Sequence, residues 1–225
     1  MKEEDIRPKH IFDEYLAMTT EDTKAYFGDC DREIINCPAC NSRGVFAFHK
    51  SGFDYEECPG CMTLFVSPRP IATAFDKYYT EAPSVDYWAT TFYKETADAR
   101  RKLLWKPKAK LVKEVIDRWI DVAKNYSVVD IGGGYGIFAE EIEKLTKKDS
   151  IVIEPGPMLA DICRQKGITV IEKFLESVIA SDLPNGRKVF VSFELFEHLH
   201  SPKIFLESLY DAMSSGDLFI FTTLS

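Results

Sequence analysis

The feature that most constrains this chain is a run of glycines between a short apolar segment and an amphipathic one. Residues 128–136 read VVDIGGGYG. The apolar start is typical of a buried strand, and the segment from Phe138 to Leu145 has the spacing of a helix. Strand, glycine turn and helix in this order are typical of parallel α/β sheets, whose ligands bind outside the carboxyl ends of the strands. Glycines also let a ligand approach the backbone, because no Cβ stands in the way.

The spacing of the glycines distinguishes between two kinds of ligand. The dinucleotide fingerprint G-x-G-x-x-G fails in both registers, because its third glycine falls on Ile137 or on Ala139. The pattern D-x-G-x-G-x-G fits, starting at Asp130. Here the chain resembles the class I S-adenosylmethionine (SAM) dependent methyltransferases, whose first motif has this form. A Rossmann domain that binds a dinucleotide, or no SAM, is the alternative reading.

An acidic residue follows the glycine loop at the end of the next predicted strand. The predicted second strand, 150–154, ends in Glu154, which lies 22 residues beyond Gly132. A carboxylate there can accept hydrogen bonds from both hydroxyls of a ribose. In the family that the chain resembles, an acid at this place holds the ribose of SAM.

Strands and helices alternate from residue 127 onward. The pattern predicts strands at 127–131, 150–154, 168–171, 188–193 and 217–223, and helices at 138–145, 157–166 and from Pro202 to near Gly216. This alternation predicts right-handed βαβ units on a parallel sheet. The expected fold class is therefore α/β, with the Rossmann-like sheet of the class I methyltransferases.

The resemblance also gives an expectation about the end of the chain. The sixth and seventh strands usual in the family have no counterpart after DLFIFTTLS, so the sheet is expected to be incomplete at its C-terminus. An uncovered fifth strand would expose backbone donors and acceptors. We therefore expect this edge to pair with another chain.

Residues 189–202, VFVSFELFEHLHSP, carry a second resemblance. They are similar to the fourth-strand segment of a large methyltransferase group, often written SFEVLEHL-DP. The resemblance implies that Phe193 and Glu194 border the methionine end of SAM, and that Phe174, after the third strand, stacks on the adenine. His198 is a candidate catalytic base, since an imidazole can take a proton near neutral pH. The alternative is a histidine that only fixes the geometry of the loop.

Taken together, the resemblance implies one set of residues that bind SAM. The set comprises Asp130, Gly132, Gly133, Gly134, Gly136, Glu154, Phe174, Phe193 and Glu194.

Four cysteines indicate a metal site nearer the N-terminus. Cys37 and Cys40 form one CxxC pair, Cys58 and Cys61 form another, and 17 residues separate the pairs. This spacing is typical of a zinc ribbon, and four thiolates leave no open position, so the Zn²⁺ is expected to be structural. Unmetallated or disulfide-bonded cysteines are the alternative reading.

The ribbon and the segment after it resemble the N-terminal part of bacterial methyltransferases from carbohydrate and natural-product gene clusters, among them sugar C-methyltransferases. The shared residues are CPGCMTLFVSPRP and FDKYYTE. The resemblance implies that Tyr78 and Tyr79 reach toward the active site as part of a lid, with Tyr79 as a second candidate catalytic residue. Aromatic packing between ribbon and main domain is the competing interpretation.

These features divide the chain into four parts. We expect an N-terminal segment at 1–36, a zinc ribbon at 37–70, a helical linker or lid at 71–125 and a SAM-binding domain at 126–225. Apolar residues near Ile11 suggest a helix in the first part. Pro107 is expected to interrupt the helices of the third part, with a new helix starting there.

The overall composition bounds the partners. The net charge of −8 disfavours nucleic acid, and no apolar run is long enough to cross a membrane. The absence of an apolar leader favours the cytoplasm. The leading hypothesis is SAM-dependent methyl transfer to a small molecule of the sugar or nucleotide-sugar class. An RNA or protein methyltransferase that uses the ribbon for recognition and a non-catalytic SAM-binding scaffold are the alternatives. A basic cluster, Arg100 to Lys113, is the one feature that favours RNA.

Overall fold

Five parallel strands form the largest sheet of the protein, whose computed structural model describes residues 3–121 and 125–223. The described residues contain ten strands, numbered in chain order: β1 Arg32–Glu33, β2 Val45–Lys50, β3 Phe53–Glu57, β4 Leu64–Val66, β5 Arg69–Pro70, β6 Tyr126–Ile131, β7 Ser150–Ile153, β8 Thr169–Ile171, β9 Arg187–Phe193 and β10 Leu218–Thr222. The large sheet has the order β10-β9-β6-β7-β8. Within this sheet, β6 comes first in the sequence and lies at the centre. The chain then places β7 and β8 on one side of β6, and β9 and β10 on the other.

The reversal of strand order fixes where a ligand can bind. Crossover connections from β6 run to β7 on one side, whereas β9 pairs with β6 on the other side. The two connections leave a crevice at the carboxyl end of β6, the place where open α/β sheets bind their ligands. The glycine loop 132–136 begins at this end.

Eight α-helices accompany the strands within the described part of the chain. They are α1 Lys9–Phe27, α2 Ala72–Glu81, α3 Pro83–Tyr87, α4 Tyr93–Arg100, α5 Lys106–Trp119, α6 Ile137–Thr146, α7 Pro157–Gln165 and α8 Pro202–Ala212. One face of the sheet packs against α5, α6 and α7, and the other packs against α8. Neighbouring residues of β6 take part in both cores, since Val128 faces α5 and α6 while Val129 lies in the core with α8. A strand buried on both faces reads as a continuous apolar run, as this one does.

The helical part before the sheet differs from the expectation at Pro107. Helices α3, α4 and α5 form one continuous helical run from Pro83 to Trp119, joined by π-helical segments at Trp88–Phe92 and Arg101–Trp105. The backbone N–H of Lys106 bonds to the carbonyl of Arg101, five residues earlier. The prediction of an interruption at Pro107 was wrong, because a wider turn just before the proline makes room for a residue that lacks an N–H. The predicted start of an α-helix there is confirmed, since α5 begins at Lys106 with Pro107 in its first turn.

The cysteine-containing segment folds as a three-stranded antiparallel sheet of β2, β3 and β4. The strand β3 was not predicted, because its sequence FDYEE is mostly polar. In the structure only one of its five residues is exposed. A separate two-stranded ladder of β1 and β5 closes the segment, with Glu33 opposite Arg69. The boundaries at 36, 70 and 125 remain predictions.

The outer strand β10 has a strand neighbour, β9, on one side only within the described residues. Its aromatic side chains lie partly exposed, with Phe219 and Phe221 stacked at 5.0 Å and Phe221 46% exposed. Self-association through this edge remains a prediction.

Candidate active site

The glycine loop makes a tight turn between β6 and α6. Gly132 donates its N–H to the carbonyl of Ile153 on the neighbouring strand (2.8 Å), and Gly136 donates to Gly133 (3.0 Å). Gly136 has a φ of +74°, and a Cβ there would lie only 2.8 Å from Cys163 Sγ. Glycine is required at this position because both its backbone conformation and its surroundings exclude a side chain.

Glu154 turns its carboxylate toward the glycine loop. Its Oε2 accepts a hydrogen bond from the Gly134 N–H (3.0 Å), and its Oε1 accepts one from the Gly156 N–H (2.9 Å). The side chain is only 7% exposed. Burial raises the pKa of Glu154, and the two backbone hydrogen bonds only partly oppose this. A buried acid is thus held between the loop and the start of α7.

Asp130 is a second buried acid beside the same loop. Burial, reinforced by the charge of Glu154, raises its pKa to about 7, and Lys108 opposes the shift. A Cβ on Gly133 would lie 2.8 Å from Asp130 Oδ2, so the loop packs directly on this carboxyl. Two acids in one crevice favour a cationic ligand there.

A tyrosine from α4 covers the loop from the other side. The ring of Tyr93 stacks on Tyr135 at 5.4 Å, and its hydroxyl lies 3.4 Å from where a Cβ of Gly134 would be. Arg100 lies seven residues along the same helix, with its guanidinium 5.3 Å from the centre of the Tyr93 ring. Arg100 is 9% exposed, and its buried Nε has no hydrogen-bond partner within the described residues. Burial lowers the pKa of this guanidinium.

The residues that follow β8 and β9 lie at the same end of the large sheet as the glycine loop. Phe193 ends β9 and packs its ring against Phe138 at 4.8 Å, so it forms part of the floor of the crevice. Glu194 follows directly, and Lys108 from α5 ion-pairs with its carboxylate (2.9 Å). Phe174 lies after β8 with its ring 36% exposed.

The two candidate catalytic residues have different surroundings. His198 is exposed in a 3-10 turn, where its backbone N–H bonds to Leu195 (2.9 Å). Tyr79 packs its ring against Tyr78 at 5.3 Å, and burial raises its pKa well above the usual value. Tyr78 packs against Phe27 of α1 at 5.2 Å. These contacts favour the packing interpretation of the tyrosine pair over the lid.

The four predicted metal ligands lie together. Their Sγ atoms are all within 4.8 Å of one another, with Cys37 and Cys61 at 3.5 Å and Cys40 and Cys58 at 3.4 Å. These distances are far longer than a disulfide bond. A zinc–sulfur bond of about 2.3 Å places tetrahedral thiolates about 3.8 Å apart. The donor set therefore fits one tetrahedral metal ion.

The two CxxC turns have the same backbone geometry. The Cys37 carbonyl accepts a hydrogen bond from the Asn41 N–H, and the Cys37 N–H donates to the Ser42 carbonyl. In the second turn, the Cys58 carbonyl accepts from the Met62 N–H, and the Cys58 N–H donates to the Thr63 carbonyl. Asn41 and Met62 both adopt a left-handed φ, 62° and 61°. Hydrogen bonds from Ser42 lower the pKa of Cys40 to about 6, whereas burial raises the pKa of Cys58 to about 11.

The cysteine-containing segment is anchored to the loop after β9. Arg69 donates to the carbonyl of His200, and the His200 ring nitrogen lies 3.0 Å from the carbonyl of Pro70. Arg69 also pairs with Glu33 (2.8 Å), its partner across the β1–β5 ladder. His200 therefore connects the segment to the loop that starts at Glu194.

Sequence reasoning missed several residues of this crevice. Tyr93 had no predicted role, and Arg100 and Lys108 were interpreted only as members of a basic cluster. The spacing of Tyr93 and Arg100, seven residues apart, could have shown that they share a helix face. Thr222, whose hydroxyl bonds to Glu194 (2.8 Å), carried no signal, because the contact joins residues 28 positions apart.

Comparison with known proteins agrees with this geometry. Residues 87–225 match a family described as "Methyltransferase domain". This chain belongs to that methyltransferase family. The match starts within the continuous helical run, so it includes α4 and α5 together with the whole parallel sheet. No match was found among curated protein sequences.

Solved structures with the same fold include a complex of the plantazolicin methyltransferase BpumL with a pentazolic desmethylPZN analog and SAH. It is 15% identical, covers 67% of this chain and 57% of its own, and has a TM-score of 0.50. Two further similar structures are those of DesVI from Streptomyces venezuelae and of the sugar N-methyltransferase KedS8 from Streptoalloteichus sp ATCC 53650. DesVI is 14% identical over 58% of this chain and 56% of its own, with a TM-score of 0.47. KedS8 is 13% identical over 58% of this chain and 53% of its own, with a TM-score of 0.45. The chain thus spans little more than half the length of these proteins. None of the described helices has the length and apolar character to cross a membrane.

Proposed function

We propose that this protein transfers a methyl group from SAM to a small molecule, with sugars and nucleotide sugars as the favoured acceptor class. The observation that carries the proposal is Glu154, whose buried carboxylate stands at the end of β7 and faces the glycine loop through Gly134. A carboxylate at this position can accept both hydroxyls of a ribose. The family match supports the reaction class.

The same crevice suits the charges of the methionine end of SAM. Asp130 would face the cationic part, and the loop leaves room for the ligand beside Gly134 because no Cβ is present. Arg100 would bind the carboxylate, since its guanidinium is buried and its Nε has no hydrogen-bond partner within the described residues. Phe174, which lies after β8 and is 36% exposed, would stack on the adenine.

We further propose that Cys37, Cys40, Cys58 and Cys61 hold one structural Zn²⁺. The apolar core of this segment consists of Cys37, Cys58 and Phe65 with Ile35 packed against them, which is too little to fold a module alone. The metal would supply the missing stability. With four thiolates around it, no position remains for water or substrate.

The structure gives no support to RNA as the acceptor. Within the basic cluster, Arg101 pairs with Glu140 and Glu141, and Lys113 pairs with Asp117. Three lysines of the cluster, Lys102, Lys106 and Lys110, are exposed. A solvated helix face explains them.

Titration calorimetry of SAM and of SAH into the metal-loaded protein tests the proposal. We expect micromolar binding, lowered about tenfold or more by Glu154→Ala and by Arg100→Met, because each removes a charged partner of the ligand. Arg118→Met is the matched control, since Arg118 is exposed on α5. Failure of the folded wild-type protein to bind either compound would contradict the proposed function. Binding without turnover on any acceptor would favour the scaffold alternative.

A further inference from the structure

Three polar side chains meet at the carboxyl ends of β9 and β10, beside the proposed SAM site. Lys108 Nζ donates to Glu194 Oε1 (2.9 Å) and to Thr222 Oγ1 (3.1 Å). The Thr222 hydroxyl donates to the same Glu194 Oε1 (2.8 Å). Both described hydrogen bonds to this carboxylate therefore use one oxygen, and the Glu194 side chain is 42% exposed.

The backbone of Glu194 is held in an unusual conformation. Its φ is +54°, in the left-handed region that residues with a Cβ rarely adopt. The Glu194 N–H bonds to the carbonyl of Thr222 (3.0 Å), which fixes the residue against β10. Such strain persists where surrounding contacts determine it, and it concentrates at functional sites. The backbone conformation of Glu194 is therefore fixed at the end of β9, where its carboxylate meets Lys108 and Thr222.

The charges around Glu194 keep it ionised. Burial alone would raise the pKa of Glu194, but hydrogen bonds from Lys108 and Thr222, with the charge of Arg7, outweigh burial and leave the pKa below its usual value. The charge of Lys108 also partly opposes the rise in the pKa of Asp130. The ion pair of Lys108 and Glu194 therefore lies close to the glycine loop. Lys108 packs over the Phe193 ring (4.8 Å), on the floor of the crevice.

We propose that Glu194 is the proton acceptor of the methyl transfer, that Lys108 and Thr222 are positioning residues, and that the acceptor group is a hydroxyl. The inference rests on the proposed function and names the substrate class of that site. A lone pair of the hydroxyl oxygen attacks the methyl carbon, and the carbon–sulfur bond breaks with both electrons kept by sulfur. The hydroxyl proton passes to the Glu194 carboxylate and then to solvent.

The acidity of the product decides between a hydroxyl and an amine. An amine that gains a methyl group becomes an ammonium with a pKa of about 10. Such an ammonium does not give its proton to a carboxylate whose pKa lies below the usual value of a glutamate. A hydroxyl oxygen that gains a methyl group becomes an oxonium, a very strong acid, and a weak base suffices to take its proton. An ion-paired carboxylate therefore suits oxygen as the nucleophile.

The test uses matched acceptors and matched variants of the full chain. Glucose and galactose are compared with glucosamine and galactosamine, which carry an amine in place of one hydroxyl, and SAH formation and the methylated atom are measured by mass spectrometry. We expect O-methylation by the wild type. Glu194→Gln should lower kcat by about 10²–10⁴-fold with the Kd of SAM changed less than about threefold. Glu197→Gln, an exposed glutamate on the same loop, is the control and should keep kcat.

The positioning role of Lys108 has its own readout. Lys108→Met should raise the pH at which activity appears on the acid side, because the carboxylate loses the cation that keeps it ionised. Lys108→Arg should restore much of the wild-type profile. Arg7 and Asp130 also carry charge near this group, so both variants are compared at constant ionic strength.

The outcomes separate the two proposals. SAM binding with unchanged kcat in Glu194→Gln, methylation only at nitrogen, or no turnover of any hydroxyl compound would each overturn the assignment of Glu194. A loss of SAM affinity in Glu194→Gln as large as the loss of kcat would return Glu194 to the SAM site and overturn it as well. Failure of the wild type to bind SAM would instead remove the proposed function on which the inference rests.

Discussion

At the scale of single residues, the most informative group is Asp130. It is 2% exposed, lies next to the glycine loop and shares its surroundings with Glu154. Burying a carboxylate costs free energy unless a cation or hydrogen bonds compensate for it. The sequence pattern identified this residue from the glycine spacing alone, but its shifted pKa depends on Glu154 and Lys108, which only the fold brings near.

The raised pKa of Asp130 predicts how stability depends on pH. Between the unfolded value of 3.8 and the folded value of about 7, the folded protein binds more protons, so its free energy of unfolding falls as pH rises through this window. Asp130→Asn removes this titration. Relative to wild type, we expect the variant to gain up to about 4 kcal/mol between about pH 4 and pH 8, from about 1.4 kcal/mol per pKa unit. Urea unfolding at both pH values measures the difference. A constant difference would contradict an unusual pKa at Asp130.

At the scale of secondary-structure elements, predictability follows the strength of the local pattern. The five strands of the large sheet were predicted because each is a short apolar run in the sequence. Proline and glycine marked the ends of the helices α7 and α8. The strand β3 and the π-helical segments were not predicted. The sequence of β3 is mostly polar. The π-helical segments depend on how one helix covers the crevice with both Tyr93 and Arg100.

The contact between the β1–β5 ladder and the loop after β9 makes a prediction at this scale. Arg69→Ala removes the hydrogen bond to His200 and the ion pair with Glu33, so the loop should exchange its amide hydrogens faster. We expect a loss of about 1–2 kcal/mol in stability, as for hydrogen bonds of charged groups. Hydrogen exchange of residues 194–201 measures the effect, with Arg43→Ala, an exposed arginine of the same segment, as control. Equal exchange in both variants would show that the ladder does not hold the loop.

At the scale of the whole molecule, the large sheet and the cysteine-containing segment have separate apolar cores. Within the described part of the chain, the core of the large sheet contains no residue of the cysteine-containing segment, whose own core is Cys37, Cys58 and Phe65. Two cores of such different size should not unfold as one unit.

Metal removal tests this division. A chelator should unfold the segment of β2 to β4 while the parallel sheet persists, because the small core depends on the metal and the large one does not. Thermal unfolding followed by circular dichroism, with and without chelator, should show a low-temperature transition that only the metal suppresses. Bound zinc should be about one per chain, lost in Cys58→Ser and kept in Cys30→Ser, whose cysteine lies outside the cluster. A single unchanged transition and no bound metal would refute the zinc site.

The π-helical segments also constrain how this chain can evolve. Each one is an α-helix that holds one surplus residue per widened turn. Deleting a residue from Arg101–Trp105 would restore regular bonding, but it would rotate everything before it by about 100° around the helix axis. Tyr93 and Arg100 would then turn away from the glycine loop, although no residue of the crevice had been replaced. The helix should therefore accept substitutions on its outer face far more readily than insertions or deletions, and we expect related chains to keep its length.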